Sequence, residues 1–274
     1  MPELPEVENV ARTLRPRLVG TRVLGVEASG LPLRRPVDLA RLRAACKNAR
    51  VTSVRRVGKY LLLELSSEKV VLAHLGMSGR LVFAASSEPR RPHTHALFAL
   101  EGGLDLRYVD PRRFGVLRVY DLAQLEASPE LSVLGVDPLE DGFSADYLHE
   151  ALAGTRRELK GFLLDQGCIA GLGNIYACEA MFLAGVAPRR RTNRLSRNRA
   201  VDLHRAIRSV LETGIANRGT SFSDYVDADG EAGSNQDALW VYGREGEPCR
   251  TCKSLIKRVV QGARSTFYCP RCQR

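Results

Sequence analysis

Cys249-Arg250-Thr251-Cys252 and, after sixteen intervening residues, Cys269-Pro270-Arg271-Cys272 decide the form of the chain's C-terminal end before any hydrophobic pattern is read. Two such pairs at that separation bring four thiolates into a tetrahedron around Zn²⁺, whereas a redox dithiol needs one pair in a different setting. Four thiolates leave the metal no open position, so the expected ion is structural, one per chain. Between the pairs, Leu255 to Val260 and Ser265 to Tyr268 read as two strands turning at Gln261-Gly262-Ala263, with Arg264 at the tip. From Cys249 to Arg274 there are seven Lys or Arg and no acid, which suits a groove or phosphate backbone.

The rest of the composition agrees with that partner. Forty-one Lys and Arg against thirty-one Asp and Glu give net +10 over 274 residues, enough chain for two cores. A second basic stretch, Arg189 to Arg208, carries eight Arg against one Asp, although a solvated helix face reads the same way. No apolar run is long enough for a bilayer and no signal-peptide pattern is present, so a cytoplasmic protein is expected. The other cysteines, Cys46, Cys168 and Cys178, are scattered and form no disulfide framework.

Moving toward the N-terminus, helices are expected at Ala145 to Ala153, Arg156 to Gln166, Asn174 to Leu183 and Arg197 to Ala216. The Gly-, Ser- and Asp-rich stretch from Arg218 to Ala238 reads as a long mobile loop. Before residue 130 the pattern is one of short β runs: Arg22 to Glu27, Val51 to Val57, Tyr60 to Leu65, Val70 to Leu75, Arg80 to Phe83, Ala96 to Leu100, Leu104 to Val109 and Val116 to Tyr120. One short helix, Asp38 to Cys46, interrupts them, and an amphipathic helix from Pro5 to Val19 precedes them. The expected class is α+β with two domains: an N-terminal β-sandwich with flanking helices, then a helical domain ending in a zinc-finger β-hairpin. Boundaries are expected at 1–133 for the sandwich, 134–143 for a linker, 144–238 for the helices with the loop, and 239–274 for the hairpin. A cleft between domains is the natural place for a ligand.

Two stretches carry chemistry. Met1-Pro2-Glu3-Leu4-Pro5-Glu6-Val7-Glu8 places a proline where loss of Met1 leaves a free secondary amine beside a carboxylate. Such an amine forms a Schiff base with a carbonyl-type carbon, and its adduct is a permanently charged iminium. The same residues also suit a plain helix start, with proline and acids in the first turn. Gly171-Leu172-Gly173-Asn174-Ile175-Tyr176, between two helices, sets Asn174 at a helix N-terminus, an anion site or an ordinary glycine bend.

Both stretches resemble the formamidopyrimidine-DNA glycosylase family, and further matches follow in family order from residue 2 to residue 272. Pro2 corresponds to the nucleophile, Glu3 to the acid that protonates the sugar, and Glu6 to a residue organising the amine. Gly58-Lys59-Tyr60-Leu61-Leu62 supplies a phosphate-binding Lys59. His74-Leu75-Gly76-Met77-Ser78-Gly79 supplies His74 as a DNA contact and Met77 as a wedge, and Asp110-Pro111-Arg112-Arg113-Phe114-Gly115 supplies Arg112 and Phe114, the other groups filling the gap left by an everted base. His93, Arg156 and Asn174 correspond to DNA contacts, and Arg264 to an arginine facing the phosphate beside the lesion.

What the resemblance implies is a helix-two-turn-helix element around Asn174, a structural zinc on Cys249, Cys252, Cys269 and Cys272, and a monomeric, nucleoid-associated repair enzyme acting on damaged double-stranded DNA. It would excise oxidised purines such as 8-oxoguanine and formamidopyrimidines, then cleave the abasic strand by β,δ-elimination. Leu4 and the Met77, Arg112, Phe114 set favour this branch over the endonuclease VIII branch, which acts on oxidised pyrimidines. A non-catalytic DNA-binding protein on the same scaffold would not need Pro2-Glu3. Two departures stand in the expected loop: Asn235 where the family has an aromatic residue, and Arg218-Gly219 in place of a Gly-Gly start. Cys178 replaces a usual serine, with no functional consequence expected.

Overall fold

The computed structural model describes residues 1–222 and 224–274; Ser223, in the expected loop, lies outside the described residues. The chain divides into two compact units, Met1–Ser132 with Asn217–Gln236, and Val133–Ala216 with Asp237–Arg274. Residues 217–236 therefore cluster with the first unit, whereas the sequence reading kept them with the preceding helices.

The first unit opens with α1 (Leu4–Leu18), whose stripe of Val7, Val10, Ala11, Leu14 and Leu18 is at most 1% exposed. Burying a side chain of this kind contributes roughly 1.5–3 kcal/mol. Eight strands follow in two antiparallel four-stranded sheets. One has the order β1 (Val23–Ala28), β6 (Thr94–Leu100), β7 (Leu104–Val109), β5 (Arg80–Ala85). The other runs β2 (Val51–Val57), β3 (Tyr60–Leu65), β4 (Lys69–His74), β8 (Val116–Asp121). Their inner faces share one core with α1 and α2 (Leu39–Cys46), so the expected sandwich is the observed fold. Val57 pairs with Tyr60, which leaves Gly58-Lys59 as the two-residue turn between β2 and β3; Gly58 takes a positive φ of 55° there.

Glu8, one turn into α1, ties that turn to the N-terminal helix. Its carboxylate accepts from Arg12 at 3.0 Å, Arg15 at 3.2 Å and the buried Arg56 at 3.2 Å, and Arg56 also donates to the Gly58 carbonyl at 3.0 Å.

The second unit holds α3 (Ala145–Ala153), α4 (Leu159–Leu163), α5 (Asn174–Leu183) and α6 (Arg197–Ala216), then the hairpin of β9 (Lys257–Gln261) and β10 (Arg264–Tyr268). The helix expected over Arg156 to Gln166 is shorter at both ends. Glu158 bridges to Arg191, while Thr192 donates to the Arg157 carbonyl and Leu159 to that of Arg190, so residues 157–158 are held extended by a neighbouring segment. At the other end the Asp165 side chain accepts from Gly167, a turn that stops the helix. No helix among the described residues is long and apolar enough to cross a membrane.

Candidate active site and nucleic-acid interface

In the first unit Pro2, Glu3 and Glu6 are all buried, the two acids to 4% and 1% exposure. Glu3 caps α1 in extended conformation, forming a reciprocal capping box with Glu6. Both oxygens of Glu6 are held by backbone donors, one local and one from a distant part of the chain. Glu3 N–H donates to Oε2 at 2.8 Å, and Thr220 N–H donates to Oε1 at 2.8 Å. Gly219 admits this approach: its φ is +84°, and a Cβ there would stand 3.0 Å from Glu6 Cγ.

Met1 lines a cavity of about 680 Å³, together with His74, Met77, Arg112, Phe114, Arg34 and others. Met77 and Phe114 stay 42% and 46% exposed there, and the Arg112 guanidinium lies 4.8 Å from the Phe114 ring centroid. Two loops bring these groups together, and the fully buried Asp110 joins them. It accepts from the Ser78 hydroxyl at 2.7 Å, Gly115 N–H at 2.9 Å and Arg112 N–H at 3.3 Å. Gly76 lies so close to the Phe114 backbone that a Cβ would sit 2.6 Å from its carbonyl carbon.

His74 Nδ1 accepts from Gly76 N–H at 3.0 Å, while burial and the cations Lys59 and Arg34 lower its pKa to about 4. The imidazole is neutral near pH 7, with its proton on Nε2. Lys59 is only 6% exposed, although it stands in the turn between β2 and β3. His93 is exposed at φ 65° and lies outside the cavity lining, its carbonyl accepting from Asp110 N–H at 3.0 Å. Its neighbour His95 is buried between the Ser29 hydroxyl and the Asp110 carbonyl.

In the second unit Asn174 is the first residue of α5, after Gly171 at φ +90°. Its Nδ2 donates to the Ser265 carbonyl at 2.9 Å, while Oδ1 is buried without a hydrogen-bond partner. Lys160 Nζ reaches the same carbonyl at 2.9 Å and Thr266 Oγ1 at 2.5 Å. Arg264 is exposed, but it opens β10 opposite Gln261; the tip is Gly262-Ala263, both with positive φ, the two-residue turn that matches strand twist. Arg156 is likewise exposed, on the extended segment before α4 rather than on a helix.

The four cysteine sulfurs lie within 4.8 Å of one another, with Cys252 to Cys269 at 3.4 Å and Cys249 to Cys272 at 3.9 Å. A tetrahedral zinc with bonds of about 2.3 Å needs sulfurs roughly 3.8 Å apart. All four are free of disulfides, so the cluster fits Zn²⁺. Cys178 is buried in the same small core as Cys249 and Cys269.

Sequence models of this family cover most of the chain: the Formamidopyrimidine-DNA glycosylase N-terminal domain at residues 1–117, its H2TH domain at 134–226, and the zinc finger found in FPG and IleRS at 246–274. The chain belongs to the formamidopyrimidine-DNA glycosylase family. The formamidopyrimidine-DNA glycosylase of Moorella thermoacetica is 48% identical over 94% of both chains. Among solved structures, the Lactococcus lactis glycosylase with an N7-benzyl-Fapy-dG-containing DNA superposes with a TM-score of 0.93 at 32% identity, covering 100% of both chains. Its complex with an abasic-site-containing DNA superposes at 0.92, with 32% identity over 99% of both. As a glycosylase of this family the chain is a DNA N-glycosylase with abasic-site lyase activity, in base-excision repair of damaged bases.

Several residues that organise this glycosylase were not singled out from sequence. Glu179, 3% exposed with its pKa raised by burial, accepts from Trp240, Val241 and Tyr242 N–H at 2.7, 3.0 and 2.9 Å and so fixes the approach to the zinc hairpin. Lys160 belongs with Lys59: the chain has six lysines among its forty-one cations, and these two are the buried ones. Glu8, Asp110 and Thr220 carried no signal in the sequence, because each makes a defining contact with a distant residue: Arg56 for Glu8, Ser78 for Asp110 and Glu6 for Thr220.

Proposed function

We propose that the enzyme excises oxidised purines from damaged double-stranded DNA and cuts the abasic strand through a Schiff base on Pro2. One observation carries the reading. Met1 lines the cavity where Met77, Arg112 and Phe114 converge, so its removal leaves the Pro2 amine at that wall, next to the buried pair Glu3 and Glu6. A free α-amine titrates near 7.7–8.0, so an unprotonated fraction exists at neutral pH.

Met77, Arg112 and Phe114 offset the few kcal/mol lost when a damaged base leaves the stack. Pro2 nitrogen then forms its bond to C1′ while the glycosidic bond breaks, the departing base takes up the proton that the amine gives up, and Glu3 gives a proton to the sugar ring oxygen. Opening of the ring leaves an iminium, which acidifies C2′. Loss of that proton expels the 3′ phosphate, and a second elimination expels the 5′ phosphate. Glu6 orients the amine. Lys59, Asn174 and Arg264 hold phosphate charge, with His74, His93 and Arg156 as further DNA contacts. The zinc fixes the hairpin that bears Arg264.

Borohydride reduction traps the Schiff base as a covalent protein–DNA adduct. The mature protein should trap on 8-oxoguanine duplex, while Pro2→Gly or a form retaining Met1 should give none and keep DNA affinity within about threefold. Undiminished trapping by the Met1-retaining form would overturn the assignment. Faster excision from thymine glycol than from 8-oxoguanine duplex would move the substrate to oxidised pyrimidines.

A further inference from the structure

Asn235 stands where the family resemblance leads one to expect an aromatic residue, and it is 3% exposed. A buried amide needs partners, and this one fastens together the two limbs of the segment 217–236. Asn217 Nδ2 donates to its Oδ1 at 3.2 Å, its own Nδ2 donates to Thr220 Oγ1 at 2.9 Å, and its backbone N–H donates to the Gly219 carbonyl at 3.0 Å. Ser234 N–H to the Asn217 carbonyl, at 2.9 Å, completes the clasp. An aromatic ring could make neither side-chain bond.

The clasp leads to the catalytic terminus. Thr220, held by Asn235, gives its N–H to Glu6 Oε1 at 2.8 Å, and Glu6 Oε2 takes Glu3 N–H at 2.8 Å. Three hydrogen bonds thus connect the Asn235 side chain to the backbone of the residue after Pro2. With one donor on each oxygen, the two bonds restrain the orientation of the Glu6 carboxylate. Loosening the Thr220 limb removes one side of that grip. We propose that Asn235 is a positioning residue of this enzyme, holding Glu6 beside the Pro2 amine through Thr220. The inference rests on the Schiff-base reading above and adds to it a buried residue that acts through Thr220 and Glu6.

The test is the borohydride trapping rate on abasic-site duplex, at saturating and at limiting DNA. Asn235→Leu keeps apolar bulk and removes both side-chain bonds; the saturating rate should fall about tenfold, with half-saturation moving less than about twofold, because a small misplacement near the reacting groups acts on the chemical step. Asn235→Asp can accept from Asn217 and from the Thr220 hydroxyl, and should stay within about threefold of the parent. Thr220→Val breaks the same link from its other end, so it should match Asn235→Leu, and the double variant should be no slower than either single one. Losses that multiply, an Asn235→Asp as slow as Asn235→Leu, or single variants equal to the parent would each overturn the inference. A parent that traps beside an unaffected Asn235→Leu removes this inference alone; a parent that does not trap removes the reading beneath it as well.

Discussion

The zinc hairpin and the segment 217–236 are both poor in regular structure, yet they are held in place by opposite means. The hairpin is pinned by four side chains of one kind, local in sequence and spaced for one metal. Segment 217–236 is pinned by backbone N–H groups, amides and two buried acids. Glu6 takes Thr220 N–H from 214 residues away, and Asp227, 1% exposed, takes Asp229 and Glu231 N–H at 3.0 Å each and pairs with Arg218. A thiolate cluster announces itself by spacing alone; a polar clasp does not, because Asn, Asp and Gly in a row describe any loop.

The largest expected effect tests the metal side of the contrast. A structural zinc contributes an apparent 10–16 kcal/mol or so in small zinc-finger peptides, whereas a lone two-stranded hairpin is at best marginal in water. Cys249→Ser should therefore raise amide exchange over residues 257–268 to that of an unfolded chain, with zinc content falling from one per chain. Protection in the sandwich strands β2 to β4 should stay. Retained protection in a zinc-free hairpin would show that the small core of Cys178, Phe182, Val241 and Ile256 holds it instead.

A smaller effect tests the polar side. Asp227→Ala leaves the Asp229 and Glu231 N–H groups without their acceptor and Arg218 without its partner. Hydrogen bonds to a charged group are worth about 1.5–3 kcal/mol each and do not add fully, so the expected loss is about 3 kcal/mol in denaturant unfolding. Amide exchange should rise first within residues 217–236. A loss under about 0.5 kcal/mol would mean that the clasp at Asn235 alone holds the segment.

The same contrast explains what was legible beforehand. Tyr60–Leu65 is a nearly continuous apolar run and Leu104–Val109 alternates apolar with polar residues; both are bounded by turn residues and fold as strands. The convergence of Met77, Arg112 and Phe114 on one cavity was readable only through resemblance; nothing in their spacing says that Asp110 draws two loops together. Helix α4 was overextended because an amphipathic pattern cannot show that residues 157–158 pair with 190–192. The segment 217–236 reads with the helix before it because chain continuity favours that, and the H2TH model itself runs on to residue 226, while the segment's hydrogen bonds run to Glu6 and to Thr13 Oγ1, which accepts from Ala228 N–H at 3.1 Å.

Arg218 gives the smallest and most discriminating prediction. Its φ of 59° lies in the left-handed region, which costs a non-glycine residue roughly 1–2 kcal/mol, and the resemblance leads one to expect glycine there. Its ion pair with Asp227 works against that cost, but the Arg218 side chain is 52% exposed, and pairs open to solvent contribute about 0–1 kcal/mol. Arg218→Gly removes both terms. It relieves the backbone strain, gives up the pair, and adds conformational freedom to the unfolded chain, which costs up to about 1 kcal/mol. These contributions nearly cancel, so the expected change in unfolding free energy is within about 1 kcal/mol of zero. Arg218→Ala keeps the strain and loses the pair, and should be the less stable of the two variants. Asp227 retains its two backbone donors in both, which is why neither should approach the loss expected for Asp227→Ala. If Arg218→Gly instead lost as much as Asp227→Ala, the arginine would be the anchor of the segment and the turn held by the buried Asp227 only its partner.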